Sequence, residues 1–199
     1  MKEPGLIFTF YSFKGGVGRS MALANVAALL AKWGNRVLIL DWDIEAPGIE
    51  RYFLNLPSRL ANSRKETDGI VDLVLAYTLD QPLDWHQCLI KAFPFGDESK
   101  IDIITAGRET ADYNSRVRQI AWVDLFKHKG FGTYLEQLRE QWIADYDFVL
   151  IDSRTGITDI GGICTIHLPD VLVLFFTANW QSLQGVVDVM QREIGRAHV

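Results

Sequence analysis

Five short, nearly uninterrupted apolar runs punctuate the chain, and each gives way to polar or glycine-containing sequence. They are residues 6–12 (LIFTFYS), 36–40 (RVLIL), 101–105 (IDIIT), 148–151 (FVLI) and 171–177 (VLVLFFT). Their length and β-prone composition read as strands. Strands apolar on both faces need cover on both faces, which is the setting of a parallel sheet. Between the first two runs lies 20–33 (SMALANVAALLAKW), an Ala- and Leu-rich stretch with no Pro or Gly, closed by Gly34. It reads as a helix with a glycine stop, so the first part of the chain is a βαβ unit.

Further helices are expected over 69–79, over 123–145 with a break at 130–132, and over 182–194. Residues 43–68 are polar and irregular, with Pro47, Gly48 and Pro57, and 84–99 carries no clear period. The alternation predicts a three-layer α/β fold, a mostly parallel twisted sheet with helices on both faces. One domain spans 1–199, and it reads as C-terminally truncated because the sequence stops just past the 182–194 helix.

Composition narrows the function classes. The chain is 48% hydrophobic and 23% charged, as in ordinary globular proteins. A net charge of −5 argues against a broadly basic nucleic-acid surface. No apolar stretch approaches the ~18–20 residues of a membrane span, and the N-terminus lacks the pattern of a signal peptide. The expected location is the cytoplasm. Cys88 and Cys164 form no CxxC and read as buried thiols of a reducing compartment. The four histidines are scattered, with no triad or metal spacing.

The turn between the first strand and the first helix is Phe13-Lys14-Gly15-Gly16-Val17-Gly18-Arg19-Ser20. Its glycines let the backbone approach a ligand closely and aim N–H groups inward. The helix N-terminus adds its positive end, and Ser20 can offer a hydroxyl to Mg²⁺. The standard phosphate-loop pattern GxxxxGK[ST] is missed at two positions, with Phe13 for Gly and Arg19 for Lys. Three carboxylates follow strand ends: Asp41 and Asp43, two apart and facing the same way on extended chain, and Asp152. For Asp43 the competing reading is a turn or helix cap.

These residues resemble the deviant Walker A motif, KGGxxK[ST], of the ParA/MinD-type ATPases (SIMIBI class), and more narrowly the KGGVGR variant with Arg in the second basic place. The resemblance continues through Met21-Ala22-Leu23-Ala24-Asn25. It also includes the DxD at Asp41-Trp42-Asp43 and an apolar strand ending in Asp152, and contributes least over 51–99. It implies the P-loop NTPase fold, ATP rather than GTP, and Mg²⁺ as cofactor. By that likeness Lys14, Gly15, Gly16, Val17, Gly18, Arg19, Ser20 and Met21 bind nucleotide. Lys14 also reaches the phosphates of a partner subunit across a nucleotide-sandwich homodimer, and counts with Asp43 as catalytic. Asp43 orients the attacking water. Asp41 lies near the metal's water shell, and Asp152 faces Mg²⁺ opposite Ser20. Arg154 and Gly156 stand in the switch segment, Arg154 being either a phosphate or partner contact or an ordinary surface arginine. Asn179 stands where the family contacts adenine, or is a loop-forming Asn.

Two functions follow as expectations. One is a slowly hydrolysing, Mg-dependent switch ATPase acting as an ATP-dependent dimer. The other is a nucleotide-binding signalling or scaffold module, regulatory or defensive, with little or no hydrolysis because Arg19 replaces Lys. A separate partner protein or a fused effector domain is expected in either case, while nothing in the sequence indicates contact with DNA or membrane. A kinase or synthetase is a weaker option that would use Arg116 and Arg118 as a second phosphate site.

Overall fold

The computed structural model describes residues 3–53, 67–96, 98–153 and 163–196, with side chains as far as Gln191. The chain opens with β1 (Leu6–Ser12), turns through the glycine loop into α1 (Arg19–Lys32), and returns as β2 (Val37–Asp41). A 3₁₀ turn (Ile49–Phe53) precedes α2 (Ile70–Thr78); a second 3₁₀ turn (Trp85–Cys88) leads into β3 (Leu89–Ala92) and then β4 (Ile101–Ile104). Next come α3 (Tyr113–Gln119), α4 (Trp122–His128), α5 (Phe131–Asp145) and β5 (Phe148–Asp152). A turn of π-helix (Ile163–His167), β6 (Val171–Phe175) and α6 (Trp180–Arg196) complete the described chain.

The strand order is β3-β4-β2-β5-β1-β6. All neighbours are parallel except β3, which runs antiparallel to β4 on the outer edge. The expected mostly parallel α/β sheet is therefore what the chain forms. Alternation along the central strands divides the interior in two. Leu38, Leu40, Val149 and Ile151 join a core with α2, α4 and α5 residues such as Leu73, Leu125 and Trp142. Val37, Ile39 and Leu150 face the other way, onto Leu23, Ala27 and Ala31 of α1. Burial on both faces explains why these strands are apolar throughout.

The 123–145 segment breaks as expected, at Gly130, whose φ of 68° suits glycine. Besides the short 3₁₀ and π turns, one strand and one helix differ from expectation. β3 is only four residues long, with Ile90 and Ala92 buried and Lys91 exposed, too brief for a recognisable period. α3 buries no residue fully, so it carries no apolar stripe to read.

Candidate functional site

β1 and β5 end side by side, as do β2 and β5: Phe10 pairs with Asp152, and Asp41 with Asp152. The C-terminal tips of three parallel strands thus meet the start of α1, the customary ligand position on such sheets. Gly16 and Gly18 have φ of 76° and 83°, the left-handed region where glycine is favoured. Gly18 sits at the start of α1; no side chain caps that terminus and its first turn contains no acidic residue. The positive end of the helix therefore remains available to an anion.

A cleft of about 380 Å³ opens at this point, lined by Gly15 to Ser20 on one side and by Asp43, Glu45, Ala46 and Tyr52 on the other. Glu45 lies in the acidic stretch after β2, but Tyr52 belongs to a 3₁₀ turn that no local pattern marked. Tyr113 of α3 donates its hydroxyl hydrogen bond to the Ile44 carbonyl at 2.8 Å, bracing the same loop from a distant part of the chain.

Arg19 does not project into the cleft as a free cation. Its Nε donates to Asp152 Oδ1 at 2.6 Å and a terminal guanidinium nitrogen donates to Asp43 Oδ2 at 2.9 Å. Its residue exposure is 6%. Burial disfavours its charge, yet the two carboxylates outweigh burial and raise its pKa further. Burial likewise raises the Asp152 pKa, checked by Arg19 and by a hydrogen bond from the Ser20 hydroxyl. Ser20 and Asp152 are thus neighbours, as the sequence led us to expect.

Asp41 has a different setting. It is fully buried, its Oδ1 accepts from the Asp43 N–H at 3.1 Å, and its Oδ2 accepts from Gly48 and Ile49 N–H at 2.9 and 3.3 Å. Burial, then repulsion from Asp152, raises its pKa well above 3.8. In this structure Asp41 folds the loop that presents Asp43.

Lys14 reaches α6, donating to the Gln181 side-chain oxygen. Met21 is exposed on the first turn of α1. Asn179 acts as a helix cap: its Oδ1 accepts from Ser182 N–H at 2.8 Å, and its amide nitrogen donates to Thr177 Oγ1 at 2.6 Å. Arg154 and Gly156 lie outside the described residues. Arg116 contacts the buried Asp72 carboxylate, which also accepts from Arg108, so it is committed to an internal network. Cys88 and Cys164 are free and buried, and burial pushes the Cys88 thiol up to about 12.

The residues fit a hydrated divalent cation bound alongside a nucleotide. Ser20 and Asp152 adjoin beside the cleft, and Mg²⁺ usually takes one or two protein oxygens plus phosphates. Among the described residues no group of three His, Cys, Asp or Glu side chains would hold a metal unaided.

A doubly wound parallel sheet with a glycine loop feeding a helix at its strand tips defines a P-loop nucleotide-binding class of protein. Within that class the chain belongs to the AAA domain family, whose model matches residues 5–194, and is of the ParA/MinD type. It is 27% identical over 188 residues to an uncharacterized ATP-binding protein of Methanocaldococcus jannaschii, covering 92% of this chain and 58% of that protein. It is 26% identical over 195 residues to the septum site-determining protein MinD of Helicobacter pylori, covering 96% of this chain and 61% of that one. The chain thus spans about three-fifths of the length of these curated relatives. The fold also matches MinD of Pyrococcus horikoshii complexed with Mg-ADP: TM-score 0.68, 15% identity, 97% of this chain and 66% of that one. Among the described residues no helix is long and apolar enough to cross a membrane.

Proposed function

We propose that the cleft binds Mg-ATP and hydrolyses it slowly, and that the chain works as a ParA/MinD-like switch closing on nucleotide as a dimer. One observation supports this above the rest: the left-handed glycine loop at an uncapped helix N-terminus shares a single cleft with Ser20 and Asp43, with Asp152 hydrogen-bonded beside it. The ATP-binding description of the Methanocaldococcus relative and the Mg-ADP of the Pyrococcus protein are consistent with it.

In this reading the amides of residues 15–20 bind the phosphates and Ser20 and Asp152 hold Mg²⁺, which supplies neutralising charge. Asp43 accepts a hydrogen bond from the attacking water and orients it. Lys14 leaves Gln181 to meet the phosphates of the facing subunit. Met21 packs at the rim, and Arg154 and Gly156 follow the γ-phosphate. Asn179 keeps α6 capped beside the base. Calorimetry with Mg-ATP, paired with phosphate release, tests the reading. Ser20→Ala should weaken Mg-ATP binding about tenfold or more, and Asp43→Ala should bind yet lose most turnover. Turnover by Asp43→Ala equal to that of wild type would remove Asp43 from its role.

A second reading is a nucleotide-dependent signalling or scaffold module with little hydrolysis, serving a separate partner protein or a fused effector domain. It is favoured by the Arg19 contact to Asp43, which engages the candidate water-orienting carboxylate. A large gain in turnover for Arg19→Lys supports the module, and an unchanged or lower rate supports the ATPase.

A further inference from the structure

We propose that Arg19 is an internal cation that occupies the acidic half of the cleft while the phosphate loop is empty, and that a triphosphate draws it off, so that nucleotide loads before metal. The inference rests on reading the cleft as a nucleotide site. Arg19 is the first residue of α1, directly after Gly18, so its backbone belongs to the loop that would receive the phosphates. Its side chain nevertheless turns to the strand tips, with 2.6 Å to Asp152 and 2.9 Å to Asp43. A third contact, to the Ser12 hydroxyl, is long at 3.5 Å.

The side-chain exposures are 7% for Arg19, 12% for Asp43 and 3% for Asp152, so these charges are largely shielded from water. Such ions tolerate each other only while paired. Removing the guanidinium alone would leave two carboxylates facing one another. A divalent ion arriving alone would need to shed water and expel a buried arginine whose strong contacts, among the described residues, are these two carboxylates.

A triphosphate changes that balance because it offers the guanidinium a new set of oxygens beside the same loop. Arginine binds phosphate oxygens in a bidentate manner, and the Arg19 backbone already belongs to the loop that would hold them. Asp43 and Asp152 are freed in the same movement, one toward water and one toward metal. Lysine at this position would have to meet both carboxylates from a single nitrogen, whereas Arg19 meets them from two separate nitrogens of its planar fork.

Arginine Nε–H spectra of the ¹⁵N-labelled chain test the proposal. One resonance, missing from Arg19→Lys, should exchange slowly with solvent and ignore Mg²⁺ added alone. The non-hydrolysable analogue AMPPNP should shift it, in EDTA as well as with Mg²⁺. By electron paramagnetic resonance, Mn²⁺ without nucleotide should bind Arg19→Ala at least about tenfold more tightly than wild type. If Arg19→Ala does not fold, Arg19→Lys serves in the same comparison.

An Arg19 resonance that stays put while calorimetry on the same sample records AMPPNP binding overturns the gate and leaves the nucleotide site standing. Equal Mn²⁺ affinity in the folded variant and wild type overturns it too. No heat with AMPPNP, with or without Mg²⁺, removes both the gate and the nucleotide reading.

Discussion

Asp72 shows how a single carboxylate outside the cleft lining can organise a region of the chain. It lies at the start of α2 and accepts from the Gly69 N–H at 2.9 Å and the Arg108 N–H at 3.1 Å, besides the Arg108 and Arg116 side chains. Burial works to raise its pKa, but Arg116 and the two backbone donors prevail and hold it below 3.8. Asp72→Asn leaves two arginines without their common partner. It should cost about 2–4 kcal/mol in urea denaturation at neutral pH, at the low end because Arg108 is 46% exposed. The sign with pH is determined. A carboxylate depressed in the folded state stabilises above its unfolded pKa and loses that contribution as pH falls through the folded value. The gap between wild type and Asp72→Asn should therefore narrow below about pH 4. A gap that widened in acid would contradict the ion network.

At the scale of elements, α6 is joined to the phosphate loop at close range. A Cβ added to Gly185 would lie 2.1 Å from the Phe13 ring, so helix and loop meet where only glycine fits. This gives Phe13, which breaks the standard loop pattern, a packing role. Gly185→Ala should lower stability by about 1–3 kcal/mol through overpacking, readable in thermal denaturation. Asn179 at the head of α6 supports a separate expectation. Asn179→Ala removes the cap and should cost about 1 kcal/mol, and Asn179→Ser, still able to cap, should recover most of it. If both variants lost nucleotide affinity equally while keeping full stability, base contact rather than capping would be the residue's main work.

For the whole molecule, the sheet order brings the tips of β1, β2 and β5 together although β5 ends more than a hundred residues of chain after the other two. The glycine loop lines the cleft, and Lys14 at its head is tied within its own chain to Gln181. Closure on nucleotide by two copies is therefore expected to require release of that contact. Sedimentation velocity with Mg-AMPPNP should show the mass doubling, and Lys14→Ala should remain monomeric. A wild-type chain that binds AMPPNP tightly and stays monomeric at every concentration would exclude the sandwich.

What the sequence determined was everything encoded by local period and backbone freedom. Two-sided apolar runs specify covered parallel strands, the Ala-rich stretch specifies α1, and glycines specify a loop able to turn left-handed at Gly16 and Gly18. The candidate residues after β1, β2 and β5 were legible because strand ends on such a sheet share one edge. What only the tertiary structure decided was which groups those side chains face. The pairing of Arg19 with Asp152 and the Tyr113 brace join segments distant in sequence, and the Arg19–Asp43 contact joins two different loops. The raised pKa values of Asp41 and Asp152 come first from burial, and that of Arg19, against burial, from its neighbouring carboxylates; no local pattern encodes either cause. Short β3 and weakly buried α3 escaped for the same reason, because their places were set by what they pack against.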